Sequence, residues 1–295
     1  MRKSKYLVLS SFYFDFNDDL SEITNVKELF KNQNILDIFR FDKLISIKKH
    51  QFMKNFFNFI YLPQSIKIIN SYAFGYNKIQ ILDLSNCINL KEICKASFNF
   101  NEIKILKLPQ NVEIIQIQAF NMNRIKILDL SNCINLKKID MLLFFENEIE
   151  YFRLPRFVET IYLNINSNFN MNDIKILNLT NYKALKFIAL YSFENSNIKQ
   201  LKLPKNIEKI DWFAFMNNQI ESLDLSYCKQ LGYIGRNAFF KNPIKDIEIL
   251  NDITIEYDKN NKDDMWNKFV KYYNNNNKKS GNYKLENNKW KWYPL

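Results

Sequence analysis

Apolar and polar positions alternate with period two over short runs, and the runs recur along the chain. Ile79 to Glu102 reads IQILDLSNCINLKEICKASFNFNE, and Ile125 to Glu148 reads IKILDLSNCINLKKIDMLLFFENE, a near copy at an offset of 46 residues. Ile174 begins IKILNLTNYKALKFIALYSFENSN, and Ile220 begins IESLDLSYCKQLGYIGRNAFFKNP. Shorter units lie between them: FNFIYLPQSIKIINSYAFGYNK from Phe57, IKILKLPQNVEIIQIQAFNMNR from Ile103 and IKQLKLPKNIEKIDWFAFMNNQ from Ile198. The units alternate 22 and 24 residues, with one of 25 from Ile149, a degenerate unit near Ile35 and a partial one from Ile244. Self-similarity at such a period is the mark of stacked repeats.

Each unit opens L-x-x-L-x-L in pattern, as in Ile103, Leu106 and Leu108, or Ile79, Leu82 and Leu84 followed by Cys87 and Leu90. This is the leucine-rich repeat spacing, including its Asn/Cys position. The opening runs are β-branched and alternate, which predicts short strands rather than amphipathic helices. Pro63, Pro109, Pro155 and Pro204 follow four of them. Proline has no N–H to donate, so ladder pairing ends there. An Ala-Phe pair comes late in four units, Ala73-Phe74, Ala119-Phe120, Ala214-Phe215 and Ala238-Phe239, and the Phe column is expected to stack as a spine opposite the strands. One unit cannot bury its own leucine side, so stability comes from stacking. The expected fold is a leucine-rich repeat solenoid, β-rich, with parallel strands stacked in one curved sheet and a cap at each end.

The alternation of LxLPxxVxxIxxxAF units with LDLSNCxNLxxI units resembles the BspA-like leucine-rich repeats of bacterial surface proteins, found also in protists and large viruses. The resemblance covers about residues 57–257. The stretch containing Trp266, Phe269, Tyr272, Tyr273, Lys278 to Tyr283 and Trp290 is similar to the closing segment of some bacterial members. The resemblance implies binding to other macromolecules, often in adhesion, and no catalysis.

Three regions are expected. Residues 1–34 form an N-terminal cap, with a strand near Tyr6–Phe16 and a helix near Ser21–Lys31. Residues 35–257 form the solenoid of about nine to ten units. Residues 258–295 form a basic helix plus hairpin, with Trp266, Phe269, Val270 and Tyr273 on the packed face of the helix and Asn287-Asn288 at the hairpin turn. The apolar run Tyr6–Phe14 is broken by Ser10 and Ser11 and followed by Asp15, Asp18 and Asp19. It reads as a strand rather than a secretory signal, which favours a cytoplasmic protein; the resemblance allows a surface or secreted one. No stretch approaches the roughly 18–20 apolar residues of a membrane span.

Composition removes several chemistries. With 4 Gly and 1 His in 295 residues there is no glycine-rich phosphate cradle and no multi-histidine site. Cys87, Cys133 and Cys228 share one position on every second unit, about 10 Å apart, too far for a disulfide. They and Cys94 read as buried free thiols. His50 reads as structural, and the Asn178-Leu179-Thr180 sequon sits on a strand. Cofactors and metals are therefore not expected, nor an enzyme. The net charge is +11, and residues 258–295 hold nine Lys against four acidic residues. With Trp290, Trp292 and Tyr293 this region could serve nucleic acid or an anionic surface.

Two outward columns remain on the strands. Tyr61, Asp83, Lys107, Asp129, Arg153, Asn178, Lys202, Asp224 and Glu248 alternate in sign over Asp83 to Arg153, which reads as register-setting. The other column runs Phe59, Ile81, Ile105, Ile127, Tyr151 and Ile176, then turns polar at Gln200, Ser222 and Asp246. An exposed apolar stripe rimmed by charge is a candidate interaction site. The leading expectation is a monomeric, non-enzymatic module that binds a protein partner through these six residues. The alternatives are binding of nucleic acid or an anionic surface by the basic C-terminal tail, with nucleic acid the weaker of these, or a surface adhesin.

Overall fold

The computed structural model describes residues 14–19, 21–26, 34–140, 142–161 and 175–295. The chain divides into two compact units, the first formed by Met1–Leu136 with Asp140–Pro155, the second by Lys137–Ile139 with Arg156–Leu295.

In the first unit each repeat gives a three-residue strand, then a corner, then a two-residue strand. In Phe59–Tyr61, Ile81–Asp83, Ile105–Lys107 and Ile127–Asp129 the central residue is buried and its neighbours are exposed. This is the period-two alternation of a one-sided sheet. The two-residue strands form a continuous parallel ladder from Ser46–Ile47 through Ile68–Ile69 and Glu92–Ile93 to Ile114–Ile115. The stacking is parallel, as expected, but two ladders carry it rather than one. The three-residue strands pair only two by two: Ile35–Asp37 with Phe59–Tyr61, Ile81–Asp83 with Ile105–Lys107, and Ile127–Asp129 with Tyr151–Arg153.

The pairing follows the two kinds of corner. The first strand of each pair ends in Asp. Asp83 Oδ1 accepts the Ser85 N–H at 3.0 Å and its hydroxyl at 2.5 Å, and Asp129 with Ser131 repeats this. Such local side-chain bonds fix a turn without help from a neighbouring strand. The next leucine then donates across the pair, Leu84 N–H to Lys107 O at 2.9 Å and Leu130 N–H to Arg153 O at 2.8 Å. The second strand ends in Tyr61, Lys107 or Arg153 and is followed by Leu-Pro, and after it the ladder opens into a seam. Leu106 and Leu108 at the seam keep 7% exposure, against 0–1% for Leu82 and Leu84.

Two internal columns hold the repeats together. Phe52, Phe74, Phe98, Phe120 and Phe144 stack nearly parallel with centroids 5.2–5.7 Å apart. This is the expected Phe spine, worth about 0.5–1.5 kcal/mol per contact beyond area burial. Beside it runs a column of buried asparagines, Asn77, Asn101, Asn123 and Asn147. Asn123 Nδ2 donates to Phe98 O and Phe120 O at 3.0 Å each, while its Oδ1 accepts the Ile103 N–H at 3.0 Å. Asn101 and Asn147 make the same three bonds one repeat away. Each amide satisfies backbone groups of two repeats that no water reaches.

Each repeat also places residues in the left-handed region with no glycine: Tyr72, Tyr76, Ala96, Phe100, Gln118 and Met122 have φ of 52–62°. This is where the turns absorb the scarcity of glycine, at about 1–2 kcal/mol per residue.

In the second unit the two-residue strands make a six-stranded parallel ladder from Lys138–Ile139 to Thr254–Ile255. The three-residue strands again pair by twos, Ile176–Asn178 with Gln200–Lys202 and Ser222–Asp224 with Asp246–Ile249. Phe193, Phe215 and Phe239 stack at 5.4 and 5.2 Å, and Trp266 closes the column at 4.8 Å. Asn218 and Asn242 repeat the amide bonds.

The helix Met265–Asn275 is capped by Asp264, which accepts the Trp266 N–H at 2.9 Å. It buries Trp266, Phe269, Val270 and Tyr273. The hairpin of Gly281–Glu286 and Lys289–Tyr293 adds antiparallel to Asp246–Ile249 and covers that sheet edge. Asn287 and Asn288 at its turn have φ of 49° and 62°, the sign a two-residue type I′ turn requires.

At the other end, the expected helix near Ser21–Lys31 is not what forms over its first part. Ile23–Val26 is a strand antiparallel to Phe14–Phe16. Ile23, Thr24 and Val26 are β-branched and favour a strand, and Ser21 O and Ile23 O accept from Ile45 N–H and Gln51 Nε2 of the first repeat. Residues 27–33, and residues 1–13 of the expected first strand, lie outside the described residues.

Candidate interaction face

The stripe is built by the three-residue strands. Their central residue, Leu or Ile in all but the Tyr151 strand, where it is the half-buried Phe152, points inward, so both flanking residues face out. In the first unit Phe59 is 40% exposed, Ile81 45%, Ile105 48%, Ile127 63% and Tyr151 49%. Strand pairing sets Ile81 beside Ile105 and Ile127 beside Tyr151. Ile35, 50% exposed, pairs with Phe59 and extends the stripe by one residue. Its signal was in the chain: Ile35-Leu36-Asp37 repeats Ile81-Leu82-Asp83. Ile176, 62% exposed, belongs to the second unit and pairs there with the polar Gln200.

The seam between the Ile105 and Ile127 strands opens as a cleft of about 470 Å³. Ile105, Leu106 and Ile127 form its wall, with Arg124, Lys126, Asp129 and Glu148 also lining it. The stripe is therefore not flat: it carries a recess wide enough for a side chain.

Charge flanks it on both sides and is neutralised in place at Lys107, Lys126 and Arg153, while among the described residues Lys104 and Arg124 at the cleft stand in no ion pair. Lys107 Nζ meets Asp83 Oδ2 at 3.0 Å, and Arg153 meets Asp129 at 3.8 Å. Lys126 Nζ lies 3.0 Å from Glu150 and 3.9 Å from Glu148. Its ammonium is held above the usual lysine range by the bond to Glu150. Partial burial works against the Asp83 carboxylate, yet the Ser85 hydroxyl and Lys107 hold it below its ordinary value. Exposed pairs of this kind contribute only about 0.2–1 kcal/mol each. They leave the apolar column flanked by charge that is mostly paired.

The other candidates are occupied. Trp290 is 6% exposed and packs edge-on against Phe269 at 5.4 Å. The Trp292 Nε1 donates to Ser280 O at 3.0 Å, and the Tyr293 hydroxyl donates to Glu286 at 2.6 Å. Trp290 thus completes the cap, while Trp292 is half-buried and Tyr293 stays 39% exposed. The four cysteines are buried and free. Burial pushes the thiols of Cys87 and Cys228 up to about 12 and those of Cys94 and Cys133 up to about 11. A thiol this hard to ionise is a packing group, not a nucleophile. His50 packs at a tilt against Tyr72, centroids 5.2 Å apart. Asn178 of the sequon spends its side-chain oxygen on the Thr180 N–H and hydroxyl. Among the described residues no His, Cys, Asp or Glu cluster is arranged to hold a metal, and no helix is long and apolar enough to cross a membrane.

The repeat geometry agrees with comparison to known proteins. The profile of the BspA type leucine rich repeat region matches residues 21–148 and 137–262, in six copies. The chain belongs to the BspA-type leucine-rich repeat family. Among solved structures it is similar to a leucine-rich repeat protein from Bacteroides ovatus ATCC 8483, at TM-score 0.63 and 18% identity over 82% of this chain and 64% of that one. This BspA-type chain thus spans just under two thirds of that neighbour, and the likeness shows the fold. It is similar more distantly to the functional domain of InlJ from Listeria monocytogenes, at TM-score 0.46 and 16% identity over 76% of this chain and 48% of that one. A third is the pneumococcal vaccine antigen PcpA, at TM-score 0.41 and 15% identity over 78% and 75% of the two chains. No curated protein matches.

Proposed function

We propose that this protein is a non-enzymatic binding module that takes a protein partner on the stripe Phe59, Ile81, Ile105, Ile127 and Tyr151, with Ile176 as the corresponding position of the second unit. One observation carries the reading: a run of half-exposed apolar residues lies between charge columns whose Lys107, Lys126 and Arg153 already have carboxylate partners. Apolar surface kept in water costs about 25 cal/mol per Å², so a face of this kind is stabilised by a partner that covers it. The cleft between Ile105 and Ile127 gives a central pocket of the sort that anchors interface residues. The BspA-type family supports a binding role.

The test is the Ile81→Lys, Ile105→Lys, Ile127→Lys variant beside the intact chain, each used as bait and washed at low and high salt. Losing three half-buried contacts of about 1 kcal/mol each, and adding charge, weakens a stripe-bound partner at least about 100-fold. A partner held by the intact chain alone, and retained at high salt, supports the face. Equal capture by both chains removes it.

A further inference from the structure

The seam opens again in the second unit, where its lining is different. A cleft of about 650 Å³ lies between the Gln200–Lys202 and Ser222–Asp224 strands. Leu201, Leu203 and Pro204 line it with Tyr227, whose ring is 72% exposed. Lys183, Lys199, Lys202 and Lys205 line it too, against a single carboxylate, Asp224. That carboxylate is already engaged, accepting the Ser226 N–H at 2.9 Å and its hydroxyl at 2.6 Å. Among the described residues none of the four ammonium groups is in an ion pair. In the first-unit cleft three cations, Lys104, Arg124 and Lys126, face two lining carboxylates, Asp129 and Glu148, and Lys126 is paired with Glu148 and Glu150. The same step of the repeat thus holds three cations against two carboxylates in one unit, and four against one in the other.

We infer that this second-unit cleft binds an acidic oligosaccharide, one carrying carboxylate or sulfate groups. Four unpaired lysines around one recess supply the counter-charge. The Tyr227 ring offers an apolar platform for a sugar face, and the Thr180 and Ser222 side chains and Gln200 supply donors and acceptors for hydroxyls. The volume lies within the range of small-ligand sites. An acidic peptide adding as a β-strand does not fit: Cα atoms of the two strands approach within 8 Å, whereas a strand inserted between them needs about 9.6 Å. A nucleic acid strand would want successive stacking rings, and the cleft offers one. The site is separate from the apolar stripe and does not depend on it.

The test is calorimetric titration of the full chain at about 50 and 150 mM salt. The probes are a heparin-derived hexasaccharide, an oligogalacturonate of equal length, a neutral dextran oligomer, a glutamate hexamer and a single-stranded oligonucleotide. At least one acidic sugar binds and dextran does not; the tighter of the two names the anion. Lys183→Gln with Lys199→Gln, Lys202→Gln and Lys205→Gln weakens binding about tenfold or more, and flattens the salt dependence. Tyr227→Ala weakens it about three- to tenfold. A control of equal charge loss, Lys259→Gln, Lys262→Gln, Lys268→Gln and Lys271→Gln, stays within about twofold, as does Ile105→Lys. The inference is overturned if neither acidic sugar binds at about 50 mM salt. It is also overturned if the control loses as much as the cleft variant, or if the glutamate hexamer or the oligonucleotide binds as tightly and ignores Tyr227→Ala. All the substituted side chains are exposed, and matching urea midpoints confirm that each variant folds.

Discussion

Replacing Asn123 by alanine separates the buried amide column from everything else that joins the repeats. The Asn123 side chain makes one bond to the Ile103 N–H and one each to Phe98 O and Phe120 O, with a longer contact to Asn121 O, which also accepts the Phe100 N–H. Without it the Ile103 N–H has no partner in a position with 0% exposure, at about 1–3 kcal/mol. Phe98 O and Phe120 O keep Asn101 and Asn147, so each loses only one of two bonds, about 1 kcal/mol apiece. The total is about 4 kcal/mol, a large fraction of the 5–15 kcal/mol that holds a typical domain. The matched control is Asn111→Ala. Asn111 also reaches back one repeat, donating to Ile88 O at 2.9 Å, but at an exposed corner where water replaces it, so the loss is about 0.5 kcal/mol. Urea unfolding followed by circular dichroism gives both midpoints, with the slope checking that the two chains expose the same surface. If Asn123→Ala costs under about 1 kcal/mol, or no more than Asn111→Ala, the amide column is not what ties the repeats together.

Other consequences are as direct. Phe120→Ala removes a fully buried ring stacked on two neighbours and lowers stability by about 3–5 kcal/mol in the same assay. Gln118→Gly relieves a left-handed residue with φ of 62° and raises stability by about 0.5–1 kcal/mol after the entropy glycine gives the unfolded chain, whereas Gln118→Ala leaves it near wild type. The buried thiols keep their protons in the folded chain up to about 11–12, while an unfolded thiol ionises near 9.0. The unfolded state therefore binds fewer protons in that window, and the urea midpoint falls from pH 9 to 11; the Cys87→Ala, Cys133→Ala, Cys228→Ala variant falls less steeply. At pH 8 a thiol reagent labels the cysteines only when the chain is unfolded in guanidinium.

What could be read from the residues, and what could not, divides on physical lines. The parallel stacking followed from the L-x-x-L-x-L spacing, because only one register buries every leucine. The Phe spine followed from the recurring Ala-Phe pair. The asparagine column did not, although its signal is plain once seen: Phe74-x-x-Asn77, Phe98-x-x-Asn101 and Phe120-x-x-Asn123 keep one spacing. In a chain this rich in asparagine, composition hides which amides point inward. The pairing of the three-residue strands by twos was also hidden. It goes with whether an Asp or Asn turn, such as Asp83-x-Ser85 or Asn178-x-Thr180, or a Leu-Pro corner follows the strand, and periodicity does not register corners. The stripe was legible as a column, and Ile35 was passed over because its unit is degenerate beyond its first three residues. The four lysines of the second-unit cleft come from separate corners and strands, and only folding brings them together.

The central claim is that the apolar stripe is the protein-binding face, and site-specific photocrosslinking tests it most directly. A benzophenone amino acid is placed at Ile105, at the edge of the stripe cleft, and at Lys289 on the exposed C-terminal hairpin. Each chain is irradiated with native lysate at low and high salt. The account predicts a discrete protein adduct from Ile105 that persists at high salt, disappears in the Ile81→Lys, Ile127→Lys background, and has no counterpart from Lys289. Adducts of equal yield from both positions, or one from Lys289 alone that fades with salt, would contradict it.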